Sequence, residues 1–184
     1  MNDLRAAQAD MRRGYWSGAG GILASSLAWA AAAGTAIFVS PAQSVWVLFI
    51  GGMLIHPVSI LMCKLLGASG GHDKANPFGG LAAATTFWLI FSLPLVYVAH
   101  LQRMEWFFPA MLLVIAGRYL TFATIYGMRF YWVLGLTLTG AAMALVFLKA
   151  NAQVSAVAGS TIEFGFAIAA FVLHARWRKA QAAG

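Results

Sequence analysis

Three ionisable residues lie deep inside long apolar segments of the chain: His56, Arg118 and Glu163. An arginine at the centre of a membrane-spanning helix costs about 2.5–3.5 kcal/mol on insertion scales, because its guanidinium keeps its proton. Charged residues inside a membrane face the bundle interior or a water-filled cavity, and they commonly pair with one another. We therefore expect Arg118 and Glu163 to be in contact or bridged by water, with His56 completing the group.

Hydroxyl-bearing side chains accompany the two charges. Arg118 shares its side of a helix with Thr121, and Tyr119 adds a phenolic hydroxyl. Ser160 precedes Glu163 by about one helical turn. This pattern predicts a polar chamber at the middle of the membrane, in which Arg118 binds an anionic or carbonyl-bearing group and a neighbouring acid or histidine carries protons. The candidate binding or proton-linked residues are Arg118, Glu163, His56, Tyr119, Thr121 and Ser160.

A second interpretation is purely structural, with the Arg118–Glu163 pair serving only to set helix register. A buried ion pair need not add stability over apolar side chains, whereas removing one partner costs about 3–5 kcal/mol. His56 stands next to Pro57, and we interpret it as a packed histidine more readily than as a proton carrier. Both interpretations of the pair stay open at this point.

Motifs of enzymes and metal proteins are missing from the sequence. Neither a serine nucleophile motif nor HExxH occurs, so enzyme chemistry has little support. No set of His, Cys, Asp and Glu has the spacing of a metal site, and no cofactor is predicted. The longest connection, residues 67–80, lacks the GK[ST] ending of a phosphate-binding loop and is expected to be a flexible loop.

The composition indicates an integral membrane protein. Of 184 residues, 61% are hydrophobic and 9% are charged, whereas a soluble domain carries about 25% charged residues. The expected partner is therefore the lipid bilayer. The net charge of +7 comes from short loops and tails rather than from a basic stripe interleaved with aromatics, so no nucleic-acid partner is predicted.

Six segments are long enough to cross a bilayer, which takes about 20 apolar residues. The expected fold class is an all-α membrane protein, a six-transmembrane-helix bundle built as three helical hairpins. Span one is rich in Gly, Ala and Ser and is expected to be an inner helix. Residues 1–15 are interpreted as a solvated basic segment and 175–184 as a basic tail. The predicted spans are 16–39, 44–66, 81–100, 106–126, 131–149 and 154–174.

The positive charges predict an orientation. If both termini are cytoplasmic, the inner side carries nine basic residues and the outer side two, which is the bias that orients helices. We expect a multi-pass protein of a bacterial inner membrane with both termini inside. The inner set is Arg5, Arg12, Arg13, Lys64, Lys74, Arg129, Arg176, Arg178 and Lys179, and the outer set is Arg103 and Lys149.

Three stretches resemble a family of small bacterial integral-membrane proteins of unknown function: RRGYWSGAGGILASSLAW, ANPFGGL and WFFPAMLLVIAGRYLTFATIYGMRFYWVLG. The part around Gly117–Arg118–Tyr119 is the most specific. The resemblance spans most of the chain and implies a six-helix membrane domain of bacterial origin. It implies no substrate and no catalytic residue.

The leading functional hypothesis is binding or transport of a small polar or anionic solute through a midplane cavity. The alternative is a non-transporting interaction or accessory protein whose Arg–Glu pair is structural, and an intramembrane enzyme ranks third. Small-residue faces also leave room for a homo-oligomer.

Overall fold

The computed structural model describes residues 2–183, and within that range it is almost entirely α-helical. The six-helix prediction is confirmed, because six helices are long and apolar enough to cross a membrane. Met1 and Gly184, which end the predicted terminal segments, lie outside the described residues. The helices are α1 (Asn2–Tyr15), α2 (Ala19–Phe38), α3 (Pro41–Leu65), α4 (Phe78–Gln102), α5 (Phe107–Tyr126), α6 (Phe130–Phe147) and α7 (Ala152–Ala183).

Local sequence explains several helix ends. Ser40 caps α3 by accepting a hydrogen bond from the Gln43 backbone at 3.1 Å, and Pro41 stands in the first turn, where its missing N–H costs nothing. α5 ends at Gly127, which adopts the left-handed conformation that closes many helices. α7 continues well beyond residue 174, so residues 175–183 of the predicted basic tail are part of this helix.

The inner helix is α2, as predicted. It packs most extensively against α3 and α7, and α5 packs against α6 and less extensively against α4. Small residues bring these backbones together: a Cβ on Gly159 of α7 would lie 2.5 Å from the ring of Trp29, which is fully buried in α2. The consecutive helices α6 and α7 share only a small contact.

The outer faces of α3 and α4 carry many exposed large apolar side chains, among them Met53, Leu61, Phe91 and Leu95. Such a surface suits lipid rather than water, and it agrees with the bilayer as the environment of the chain.

The interpretation of residues 1–15 as a solvated tail is wrong, because α1 docks across one end of the bundle. Met11 is buried, and Arg12 donates hydrogen bonds to the carbonyls of Tyr126 (2.5 Å) and Gly127 (2.6 Å). The last carbonyls of a helix have no partners within it. Arg12 supplies donors to the C-terminal end of α5, which explains why α1 binds there.

The same end of the bundle, called the α1 end below, also holds the connection between α3 and α4. Asn76 donates a hydrogen bond to Asp10 at 2.8 Å, the Tyr15 hydroxyl lies 2.8 Å from His72 Nδ1, and the Gly70 amide donates to the Gly14 carbonyl at 3.0 Å. The expected flexible loop is therefore tied to α1 along much of its length.

Gly159→Ala should destabilise the bundle by about 1–3 kcal/mol, the usual cost of overpacking, because the added methyl group meets the Trp29 ring. The matched control is Gly165→Ala on the same helix, where a Cβ meets open space. The free energy of unfolding in detergent should be measured for both variants. An equal loss of stability in the two would contradict the α2–α7 packing.

Arg12→Gln should free α1 from the bundle, because hydrogen bonds from a charged donor are worth about 1.5–3 kcal/mol. Amide hydrogen exchange along α1 measures the release. Arg5→Gln removes the same charge from an exposed position on α1 and should leave exchange unchanged. Similar acceleration in both variants would argue against the capping role of Arg12.

Candidate functional site

Glu163 lies on the buried face of α7. The residues of this face recur every three or four positions, so they form one stripe along the helix. The carboxyl is fully buried, with 0% of the side chain exposed. The buried residues of α7 are Ala152, Ser155, Ala156, Gly159, Glu163, Ala167, Ala170 and His174.

The carboxyl lies where α2, α5 and α7 meet. The Tyr119 hydroxyl of α5 donates a hydrogen bond to Oε1 of Glu163 at 2.9 Å. Ser25 of α2, also buried, lies beside the same carboxyl. The second oxygen, Oε2, is buried and has no hydrogen-bond partner within residues 2–183.

Two further buried polar atoms at this interface have no partner among the described residues: Nε1 of Trp29 and Oγ of Ser155. Leaving a buried donor or acceptor unpaired costs about 1–3 kcal/mol, and folded proteins contain few of them. Ser160 is satisfied, since its hydroxyl donates to the Ser26 carbonyl at 3.2 Å. The α2–α7 interface therefore offers unused hydrogen-bonding capacity on both helices, in the two turns of α7 that precede Glu163.

Arg118 does not form the direct ion pair predicted with Glu163. Within residues 2–183, no arginine nitrogen lies within 4.0 Å of a Glu163 oxygen. Successive residues of a helix point about 100° apart, so Tyr119 faces α7 and Arg118 turns toward α4. There Nη2 of Arg118 donates to the Thr86 hydroxyl at 3.3 Å, and its Cζ lies 5.2 Å from the centre of the Phe122 ring.

The remaining two candidates lie apart from the carboxyl. Thr121 is half-buried and its hydroxyl reaches back to the Gly117 carbonyl of its own helix at 3.5 Å. His56 is exposed on the outer side of α3, because α3 turns other residues, such as Gly51, toward α2. The structure brings Tyr119, Ser160 and Glu163 to the α2–α7 region and leaves His56 outside it.

A polar chain that the sequence reading missed leads from this site to the α1 end. The rings of Tyr119 and Tyr131 stack with centroids 6.0 Å apart. The Tyr131 hydroxyl donates to the Ser17 carbonyl at 2.5 Å, and the Ser17 hydroxyl lies 2.8 Å from Nδ1 of buried His174. One feature of the sequence could have indicated this chain. Glu163 and His174 are eleven residues apart, which is three helical turns, so both lie on the same face of α7.

Metal chemistry has no support in this part of the chain. Among the described residues, no group of three or more His, Cys, Asp or Glu side chains lies close enough together to hold a metal ion. The arrangement provides a buried carboxyl that accepts one hydrogen bond from Tyr119.

The hydrogen bond between Tyr119 and Glu163 should appear in a double-mutant cycle. We expect Tyr119→Phe and Glu163→Leu, each of which removes one partner of the bond, to be coupled by about 1 kcal/mol in unfolding free energy. Tyr126→Phe, two turns along the same helix, should add to Glu163→Leu within about 0.5 kcal/mol. Equal coupling for both tyrosines would contradict the specific contact.

Comparison with known proteins gives a family but no activity. No curated protein and no solved structure matches the chain. A family model described as "Family of unknown function (DUF7010)" matches residues 4–175, which confirms the predicted kinship with a family of unknown function, whereas bacterial origin stays a prediction. Because the match covers nearly the whole chain, this protein belongs to the DUF7010 family.

Proposed function

We propose that this membrane protein binds a small polar solute at Glu163 and moves it, or a proton, across the bilayer. The observation that carries the proposal is the buried carboxyl itself, which has one hydroxyl donor, one unpartnered oxygen and no directly paired arginine. An ionised carboxyl in such a place is costly to keep, and ionisable residues inside a membrane commonly serve ion or substrate pathways.

The surroundings of the carboxyl support a bound polar partner. The unpaired Nε1 of Trp29 can donate a hydrogen bond, and the hydroxyl of Ser155 can donate or accept one. Water molecules or a small solute at this interface would satisfy these two atoms, one to two helical turns from Glu163, and a polar partner at the carboxyl would satisfy Oε2. The absence of a direct ion pair favours a neutral or cationic solute at Glu163, and Arg118 remains the candidate for an anionic group.

The polar chain described above supports a link between the carboxyl and one side of the membrane. Tyr119 and Tyr131 are buried and stacked, and Ser17 joins Tyr131 to His174. Hydroxyl and imidazole groups exchange protons readily. We propose that protons reach Glu163 from the α1 end along this chain. Two gaps need a water molecule or a side-chain rotation to close them: one between the two tyrosine rings, and one between the Tyr131 hydroxyl, which donates to the Ser17 carbonyl, and the Ser17 hydroxyl, which contacts His174.

The orientation remains part of the proposal. The nine basic residues assigned to the inner side belong to α1, the connection that it holds, the α5–α6 turn and the ends of α3 and α7. The positive-inside bias then favours a cytoplasmic α1 end in a bacterial inner membrane.

A second candidate function is that of a non-transporting interaction or accessory protein. The observation that favours it is the tight packing around Glu163, where Trp29 fills the space over Gly159 and the carboxyl is fully buried. In this alternative the carboxyl and Tyr119 only fix how α5 and α7 pack.

Aqueous access to the site separates the two functions. In a Cys63→Ser background, Ser160→Cys and Thr121→Cys should react with a membrane-impermeant thiol reagent in oriented vesicles if water reaches the interior. The matched control is Ile168→Cys, two turns along α7 on its exposed apolar side, which should stay unreactive in lipid. No reaction at Ser160→Cys or Thr121→Cys in folded protein would favour the accessory role.

Proton movement tests the role of the carboxyl. Proteoliposomes that contain a pH-sensitive dye should show proton flux with the wild-type chain, and Glu163→Gln should reduce it to the level of empty liposomes. Glu105→Gln is the control, since this acid lies in the turn before α5 at the opposite end. Unchanged flux in Glu163→Gln would contradict a proton-linked carboxyl.

A further inference from the structure

A basic cleft lies at the α1 end, between α1, the start of the α3–α4 connection and the last turns of α7. Its volume is about 430 Å³, and no acidic side chain is among its described lining residues. The cleft lies apart from the midplane carboxyl. Its polar and aromatic lining residues are Arg13, Trp16, His174, Trp177, Arg178 and Gln181.

Two arginines of the cleft are free to meet a ligand. Arg13 and Arg178 are exposed, and the Cζ of Arg178 lies 5.7 Å from the centre of the Trp16 ring. The second indole of the cleft, Trp177, has a similar neighbour outside the cleft lining: the Cζ of Arg12 lies 5.6 Å from the centre of its ring. Stacking on an indole holds a guanidinium in place, and a held guanidinium can bind phosphate oxygens with two parallel hydrogen bonds.

The wall of the cleft is built on unusual backbone. Trp16 and Ser17 have φ angles of 51° and 52°, a left-handed conformation that side-chain-bearing residues rarely adopt and that clusters at ligand sites. The following Gly18 is also left-handed and is packed against Tyr131. Hydrogen bonds at Ser17 from Tyr131 and with His174 hold this corner, so the Trp16 ring is fixed at the cleft.

The surroundings of the cleft are those of a membrane interface. Leu65 and Leu66, which precede the lining residue Gly67, are exposed apolar side chains. Trp16 and Trp177 are the residue type that collects at the level of lipid headgroups. A ligand with a charged head in the cleft could therefore lay apolar chains on the neighbouring leucines.

We propose that this cleft binds an anionic phosphate group, with Arg13 and Arg178 as its charge partners and the Trp16 and Trp177 indoles as its walls. The exposed leucines beside it favour the phosphate of a lipid headgroup in the adjoining leaflet. A soluble phosphate ester shares the same chemistry, and the experiment below distinguishes the two sources. The proposal does not rest on transport at Glu163, although His174 belongs both to the cleft and to the polar chain.

The experiment measures binding to the purified full chain by native mass spectrometry in neutral detergent. The probes are phosphatidylglycerol as the anionic lipid, phosphatidylcholine as the zwitterionic lipid, and glycerol 3-phosphate as the soluble ester. The wild-type chain should bind phosphatidylglycerol more tightly than phosphatidylcholine. The double variant Arg13→Gln/Arg178→Gln should bind phosphatidylglycerol about tenfold or more weakly than the wild type, because each cation near the headgroup contributes to the binding free energy.

The matched control is Arg176→Gln/Lys179→Gln, which removes the same charge from exposed positions of α7 outside the cleft. This control should stay within about twofold of the wild type, and Arg13→Lys/Arg178→Lys should recover part of the affinity. Equal losses in both Gln pairs, no loss in the first pair, or equal binding of the two lipids would overturn the proposal. Binding of glycerol 3-phosphate with the same sensitivity to Arg13 and Arg178 would support it and assign a soluble source.

Discussion

The close approach of α2 and α7 is the constraint on which the interior of this protein depends. It is made possible by the absence of a side chain at Gly159, over which the fully buried Trp29 ring lies. The approach encloses the stripe of α7 that carries Glu163, where the Tyr119 hydroxyl donates a hydrogen bond to the carboxyl. In a medium without water, the few polar groups at such an interface have to find partners among themselves or in a bound molecule.

The two interior charges are accommodated separately. Arg118 is half-buried toward α4, where it has the Thr86 hydroxyl and the face of the Phe122 ring as neighbours, while Glu163 is enclosed between α2, α5 and α7. A paired arrangement would have neutralised both charges and would favour a structural role. The separated arrangement leaves one oxygen of the acid without a hydrogen-bond partner among residues 2–183.

The α1 end joins parts of the chain that are far apart in sequence. Arg12 caps α5, the left-handed residues Trp16 and Ser17 turn the chain from α1 into α2, and His174 of α7 meets Ser17 at that corner. The polar chain from Glu163 and the basic cleft both reach this corner. A change in the position of α1 would therefore alter both the polar chain and the basic cleft.

Hydropathy and small-residue spacing were enough to predict the six spans and the inner position of α2. They could not predict which neighbour Glu163 would meet, because these helices are apolar on all sides and the sequence does not specify their rotation. Packing decided the rotation, so that Tyr119 rather than Arg118 faces the acid and His56 faces outward. The docking of α1 likewise depends on the free carbonyls at the end of α5, which exist only once that helix has formed and ended beside it.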